Sequence, residues 1–173
     1  MNKLNNKICL VTGGTGLIGQ EIVNEFLDHG AQVIFTFNKK ISKAKKICKN
    51  RKNISYHKLD IKKKESINNL FNFIKKKFKK LDVIVNNAGI NNPTDFDKIK
   101  EKDWDNILAV NLKGPFMIMQ ESLDLIKKSK NGSIINVSSV SGQYGGPRTA
   151  HYAASKAGLI SLNQVAARFF SKY

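Results

Sequence analysis

The sequence predicts a doubly wound α/β fold, in which helices cover both faces of a parallel β-sheet. Two patterns lead to this prediction: short apolar runs alternate with longer amphipathic stretches, and a glycine-rich turn joins the first run to the first stretch. Short runs rich in Val and Ile are typical of strands buried on both faces, and their alternation with helices favours parallel pairing. By its length of 173 residues, the chain is predicted to be one domain, residues 1–173.

The apolar runs are predicted to be five strands. In chain order they are KICLVT (7–12), QVIFTF (32–37), ISYHKL (54–59), DVIVNN (82–87) and SIINVS (133–138). Each run is short, and turn-forming or charged residues bound it, as is common for strands in a parallel sheet.

Helices are predicted between and after these strands, over 17–30, 65–78, 103–128 and 150–170. The first is expected to stop at Gly30, because glycine favours helix C-termini. The segment 65–78 repeats apolar residues at helical spacing. The segment 103–128 contains Gly114 and Pro115, where we expect a bend because proline interrupts helical hydrogen bonding.

The charge balance favours a solvated surface over a nucleic-acid site. The formal net charge is +17, from 30 Lys and Arg against 13 Asp and Glu. Arginine, which reads bases and grips phosphates with two nitrogens, occurs only three times. The lysines are spread through 39–52, 58–64, 75–80 and 127–130. We therefore expect no nucleic-acid partner, with a basic binder of nucleic acid or anionic surfaces kept as an alternative.

The remaining composition predicts a cytoplasmic protein without a metal centre. No apolar run approaches the length of a membrane span, and the first residues do not resemble a signal peptide, so we expect no membrane partner. Two cysteines are too few for a disulfide framework or a zinc site.

The glycine-rich stretch VTGGTGLIG (11–19) predicts a dinucleotide site, because it follows the first predicted strand and opens the first predicted helix. Glycines allow the sharp turn and let a pyrophosphate approach the backbone at a helix N-terminus. This is the fingerprint of a Rossmann-type sheet. The expected cofactor contacts are Gly13, Thr15, Gly16, Leu17, Ile18 and Gly19.

The end of the second strand favours NADP(H) over NAD(H). An Asp or Glu there would grip a ribose 2′-hydroxyl and select NAD. The strand instead ends in Phe37 and Asn38, followed by Lys39 and Lys40. No carboxylate repels a 2′-phosphate, and Asn38 and Lys39 are expected to lie against it.

Several motifs in order resemble the short-chain dehydrogenase/reductase family, in particular its single-domain branch, from Lys7 onward. They are TGGTGLIG, LDI at 59–61, NNAG at 86–89, Asn111 in VNLKGPF, INVSSVSG at 135–142 and Tyr152-x-x-x-Lys156. The resemblance implies cofactor contacts from Asp60, Ile61, Asn86, Asn87, Ala88 and Gly89. It also implies an oxidoreductase that interconverts a carbonyl and a secondary alcohol, and a homo-oligomer.

The resemblance also assigns catalytic roles. Asn111 would hold a water in a proton relay that leads to Lys156. Ser139 lies thirteen residues before Tyr152 and matches the family's serine better than Ser138 does. Tyr152 would be the general acid/base, and Lys156 would bind the nicotinamide ribose, so both also contact the cofactor.

The residues themselves support this chemistry. Positions four apart on a helix share a face, so Tyr152 and Lys156 can point into one cleft. A phenol titrates near pH 10, and a neighbouring ammonium stabilises the phenolate. Ser139, after the fifth strand, can donate a hydrogen bond to a carbonyl oxygen as charge develops there.

Beside the basic binder, three hypotheses remain open from the sequence. Reduction of a 3-oxoacyl thioester is the best substrate hypothesis. The loop spacing TGxxGxxG is more like the branch that acts on nucleotide sugars, which keeps a surface-sugar reductase as a second hypothesis. The chain stops near the catalytic helix, where the family continues through two more strands. We therefore expect a fragment, with an exposed sheet edge, and keep a truncated binder of cofactor or a subunit, without turnover, as the third.

Overall fold

Five strands form one parallel sheet in the computed structural model, which describes residues 3–173. The strands are β1 (Ile8–Val11), β2 (Gln32–Phe37), β3 (Ile54–Lys58), β4 (Val83–Asn86) and β5 (Ser133–Asn136). Their spatial order is β3-β2-β1-β4-β5, and every adjacent pair is parallel. The order reverses direction beside β1, so the predicted doubly wound, Rossmann-type class is confirmed.

Helices connect the strands, and two more helices follow β5. They are α1 (Leu17–Asp28), α2 (Ile41–Cys48), α3 (Lys64–Phe78), α4 (Glu101–Leu108), α5 (Gly114–Ile126), α6 (Ser141–Tyr144) and α7 (Ala150–Phe170). Helix α2 was not predicted, because three of its eight residues are lysines and only Ala44 and Ile47 are buried. Gly30 lies just beyond α1 with a φ of 83°, which agrees with its predicted role as a helix stop.

Two hydrophobic cores lie on opposite faces of the sheet, as the alternation of side chains in a strand requires. Leu10 of β1 packs with residues of α3 and α5, such as Leu70 and Ile118. Its neighbours in the strand, Cys9 and Val11, pack on the other face with residues of α1 and α2. The core strands are buried on both sides, which explains their nearly continuous apolar sequences.

The long helical segment is interrupted just before Gly114, close to the predicted bend. Residues Ala109–Lys113 form a π-helical segment between α4 and α5. Pro115 is the second residue of α5, and its missing N–H interrupts the helical hydrogen bonds where the π-helical segment passes into α5. The extra residue of the π segment turns Asn111, which is buried, toward the loop after β4.

Strand β5 forms one edge of the sheet, as the sequence predicted. Ile135 in this strand is 45% exposed, and Val165 and Phe169 of α7 are also exposed. No helix within residues 3–173 is both long and apolar enough to cross a membrane.

Candidate active site

A cleft of about 830 Å³ opens at the carboxyl ends of the central strands. Thirteen of the predicted cofactor contacts line it, from the glycine loop, the end of β2, the end of β3 and the loop after β4. They are Gly13, Thr15, Gly16, Leu17, Ile18, Gly19, Asn38, Lys39, Asp60, Ile61, Asn87, Ala88 and Gly89. Ligands of doubly wound folds bind at this edge of the sheet.

The backbone of the glycine loop, residues 13–19, has a shape that can hold a phosphate group; we call it the glycine cradle. Gly13 has a φ of 69°, a conformation that favours glycine. A Cβ on Gly14 would come within 2.6 Å of the Phe35 side chain, so no larger residue fits there. Helix α1 starts directly after the loop, with no side-chain cap and no acidic residue in its first turn. Its free N–H groups therefore face the cleft without a competing negative charge, which fits a dinucleotide pyrophosphate.

The far end of the cleft carries several cations. Asn38, Lys39 and Lys40 are exposed there, directly after the buried Phe37. Lys62 also lines this end, and its Nζ donates a hydrogen bond to Asn106 Oδ1 at 2.9 Å. Sequence reasoning missed Lys62 and Asn106, because nothing in their spacing shows that the loop after β3 faces α4.

The side chain of Asp60 stabilises a turn of the backbone, because one of its carboxylate oxygens accepts a backbone hydrogen bond. Its Oδ1 accepts a hydrogen bond from the Lys62 N–H at 3.2 Å. Its own N–H donates to Ser66 Oγ at 3.0 Å. These contacts shape the loop that presents Ile61 to the cleft.

Hydrogen bonds with Thr12 hold the loop after β4. Thr12 Oγ1 accepts from the backbone N–H groups of Asn87 and Ala88, at 3.1 and 3.0 Å. Asn87 Nδ2 donates to the Thr12 carbonyl at 3.0 Å. Asn86 differs from the prediction: its side chain is buried in the sheet and donates to Asn136 Oδ1 at 2.9 Å, because β5 lies beside it. It does not line the cleft.

Asn111 also holds the loop after β4, through hydrogen bonds with Ile90. Its Oδ1 accepts from the Ile90 N–H, and its Nδ2 donates to the Ile90 carbonyl, both at 2.9 Å. Nδ2 also donates to Ser155 Oγ on α7 at 3.1 Å. Asn111 thus connects the cleft loop with the helix that carries Tyr152 and Lys156.

The predicted acid/base residues Tyr152 and Lys156 do not line the cleft themselves, but Lys156 reaches its edge at Gly89. It is only 5% exposed, and burial lowers the pKa of its ammonium. Its Nζ donates to the Val137 carbonyl at 2.7 Å and lies 5.7 Å from the centre of the Tyr152 ring. A Cβ built on Gly89 would be 3.6 Å from this nitrogen and 3.3 Å from Asn111 Oδ1. Helix α7, which carries the predicted acid/base pair, and the cleft therefore meet at Gly89.

The two serines after β5 have different environments. Ser138 Oγ donates to the Lys156 carbonyl at 3.0 Å, which ties the serine to α7. Ser139 Oγ accepts from the Ser141 N–H at 3.2 Å and keeps its own proton available. This difference supports Ser139 over Ser138 as the residue that could bind a substrate oxygen.

The fold and the glycine loop define a dinucleotide-binding α/β protein. A sequence profile described as short chain dehydrogenase matches residues 7–173. The chain therefore belongs to the short-chain dehydrogenase family, and it is an oxidoreductase with a nicotinamide cofactor.

Curated relatives agree with this assignment. The chain is 36% identical over 169 residues to the 3-oxoacyl-[acyl-carrier-protein] reductase FabG of Thermotoga maritima, covering 96% of this chain and 69% of the relative. It is 35% identical over 171 residues to the reductase of that name from Aquifex aeolicus, covering 96% and 68%. It is 31% identical over 174 residues to Short-chain dehydrogenase reductase 3a of Arabidopsis thaliana, covering 99% and 68%.

Proposed function

We propose that the chain reduces a carbonyl to a secondary alcohol with NADPH, and that a 3-oxoacyl thioester is the substrate. The observation that carries the proposal is the position of the buried Lys156 ammonium, between the Tyr152 ring and Gly89 of the nucleotide cleft. A proton donor and a hydride donor can meet there. The Thermotoga and Aquifex relatives, whose names specify 3-oxoacyl substrates, support the thioester.

The proposed roles follow from the contacts. The glycine loop and the α1 N-terminus would hold the pyrophosphate, and Lys39 and Lys40 would face the 2′-phosphate. A bound NADPH supplies the hydride. Ser139 would donate a hydrogen bond to the carbonyl oxygen as negative charge develops on it.

Proton transfer is assigned to the helix α7. Tyr152 would give its phenolic proton to the alkoxide oxygen. Lys156, which Val137 holds at 2.7 Å, would then stabilise the resulting phenolate and donate to the nicotinamide ribose. Asn111 would hold the water that returns a proton toward Lys156.

The test is NADPH oxidation with acetoacetyl thioesters and a panel of ketones and keto sugars. Tyr152→Phe should lower kcat at least about 100-fold, since general acid catalysis contributes that much or more. Tyr144→Phe is the matched control, because Tyr144 is 83% exposed. Its kcat should stay within about twofold of the unmodified chain.

Other outcomes would favour the alternatives. Turnover of keto sugars but not of thioesters would favour the surface-sugar reductase. The TGxxGxxG loop spacing is the sequence feature that favours it. Saturable NADPH binding without turnover of any carbonyl would favour a cofactor-binding protein. Equal activity of Tyr152→Phe would remove Tyr152 from the mechanism.

The proposal extends to cellular context. Two free cysteines, Cys9 and Cys48, are compatible with a reducing cytoplasm. We propose a homo-oligomer on the basis of the family resemblance, with residues 1–173 acting as one nucleotide-binding domain. Light scattering coupled to size exclusion would measure the oligomeric state.

A further inference from the structure

An ion pair and a backbone hydrogen bond join two loops near the start of α7. Arg148 Nε lies 2.9 Å from Asp95 Oδ1. The Thr94 N–H donates to the Arg148 carbonyl at 2.8 Å. Arg148 Nη2 also reaches the Pro93 carbonyl at 3.5 Å. We call these contacts the clasp; they connect the loop after β4 with the loop before α7.

Arg148 adopts a backbone conformation that needs support. Its φ is 57°, in the left-handed region that residues with a Cβ rarely occupy. A residue keeps this strained backbone conformation only where the surrounding contacts fix it. Here the clasp holds both the side chain and the carbonyl of Arg148. The sequence analysis did not single out Asp95, because its distance from Arg148 along the chain gives no sign of the contact.

Helix α7 begins only two residues after Arg148, and its first turn lacks an ordinary cap. Thr149 makes no side-chain cap, because its hydroxyl donates to the Gly146 carbonyl at 2.9 Å. The Tyr152 N–H instead donates to the ring Nδ1 of His151 at 3.1 Å. The start of α7 therefore depends on contacts made by the residues that precede it.

The other loop is anchored at the cleft. The Ala88 N–H donates a hydrogen bond to Thr12 Oγ1, and the backbone of Ile90 makes two hydrogen bonds with the Asn111 side chain. Because its first residues are fixed in this way, the loop connects the clasp to the wall of the cleft. The contacts form a chain from the cleft wall, through Asp95 and Arg148, to the first turn of α7.

We propose that the clasp positions Tyr152 relative to the nucleotide cleft. Asp95 and Arg148 are positioning residues in this proposal, because they act through the backbone of α7 and not on the substrate. The inference rests on the proposed function of Tyr152. Loss of the clasp would let the first turn of α7 move, while the glycine loop and the lysines of the cleft would keep their places.

The test compares variants at both ends of the clasp. Arg148→Gly removes the side chain and accepts the positive φ without strain. Asp95→Asn removes the negative charge that pairs with Arg148. Lys98→Met is the matched control, because Lys98 Nζ also pairs with Asp95, at 3.1 Å, but does not touch Arg148. The charge-reversed double variant Asp95→Arg with Arg148→Asp tests rescue, since Asp tolerates a left-handed backbone.

We expect kcat for an acetoacetyl thioester to fall about tenfold in Arg148→Gly and in Asp95→Asn, since a small misplacement of a catalytic group has large effects. The KM for NADPH should change less than about twofold, because the glycine cradle is untouched. Lys98→Met should keep the original kcat, and the double variant should recover part of the loss.

Amide hydrogen exchange gives a readout that does not depend on turnover. The peptide covering 150–156 should exchange about tenfold faster in Arg148→Gly, and peptides of α3 should be unchanged. Unchanged exchange over 150–156 overturns the clasp, whatever the activity. Faster exchange with an unchanged kcat overturns its role in positioning Tyr152. If the original chain reduces no carbonyl, the proposed function fails, while the exchange comparison still decides whether the clasp orders α7.

Discussion

Lys156 Nζ donates a hydrogen bond to the backbone carbonyl of Val137 at 2.7 Å. This contact joins the second turn of α7 to the residue that follows β5, and it holds a cation in a site that water barely reaches. Burial lowers the pKa of Lys156 below its ordinary value of 10.5. Burial of the Lys156 ammonium therefore lowers the free energy of unfolding. Such a loss is common where a site needs a charge for its chemistry.

The first prediction concerns the pH dependence of stability. The folded chain holds the Lys156 proton less tightly than the unfolded chain, so stability rises with pH between the lowered pKa and 10.5. Lys156→Met should lack this rise. Urea unfolding at a series of pH values from about 7 to about 10 would measure it. Lys45→Met, at an exposed position, controls for net charge. The same pH profile for the original chain and Lys156→Met would contradict the prediction.

The second prediction concerns Asn111. Asn111→Asp keeps the acceptor for the Ile90 N–H but loses the donor to the Ile90 carbonyl and to Ser155. The buried carboxylate would face an acceptor, so we expect a loss of about 2–4 kcal/mol of unfolding free energy. Asn91→Asp, at an exposed position of the same loop, is the control and should change stability by less than about 0.5 kcal/mol. Chemical denaturation measures both, and equal midpoints would show that Asn111 does not hold the loop.

Local sequence patterns were sufficient for the sheet and most of the cleft. The strands at 32–37 and 82–87 are continuous apolar runs because both their faces are buried, so their sequences carry a strong signal. Parallel strands then place their carboxyl ends at one edge, which is why Gly13, Asn38 and Gly89 could be expected to meet. Helix α2 carries a weaker signal, since only one narrow face of it is buried.

Contacts between distant loops could not be predicted from one sequence. Lys62 and Asp95 lie on loops, and their partners Asn106 in α4 and Arg148 before α7 are dozens of residues away along the chain. No periodicity marks such pairs. Asn86 was misplaced for a related reason: NNAG suggests that both asparagines serve the cofactor, whereas the alternation of a strand turns the first one toward Asn136.

The third prediction concerns the choice of cofactor. Asn38→Asp would place a carboxylate at the end of β2, beside Lys39 and Lys40 in the cleft. It should weaken NADPH binding by about tenfold or more, equivalent to about 1.4 kcal/mol, and should improve binding of NADH. Lys45→Gln makes the same change in net charge outside the cleft and should leave both affinities unchanged. Calorimetric titration with each nucleotide measures the effect. If NADPH binds Asn38→Asp as tightly as the original chain, the 2′-phosphate does not lie at this position.

Asp82, at the other end of the sheet, shows how the contacts around a buried carboxylate stabilise its charge. Its Oδ2 accepts from the Ile8 N–H at 2.8 Å, and its Oδ1 accepts from Ser129 Oγ at 2.8 Å. Lys80 Nζ lies 2.9 Å from Oδ2. Burial alone raises the pKa of Asp82, but the hydrogen bonds from Ile8, Lys80 and Ser129 outweigh burial and hold the pKa below its ordinary value of 3.8.

The last prediction follows from that lowered pKa. A carboxylate with a depressed folded pKa contributes stability that is present above its unfolded pKa and is lost as pH falls through the folded value. Asp82→Asn should therefore cost about 2–4 kcal/mol at neutral pH, because Lys80 and the Ile8 amide lose a charged partner. The cost should shrink as pH falls below 3.8. Asp97→Asn, at an exposed position, is the control. Denaturation by urea at neutral and acid pH measures the difference, and a cost that stays constant on acidification would show that the Asp82 charge does not stabilise the fold.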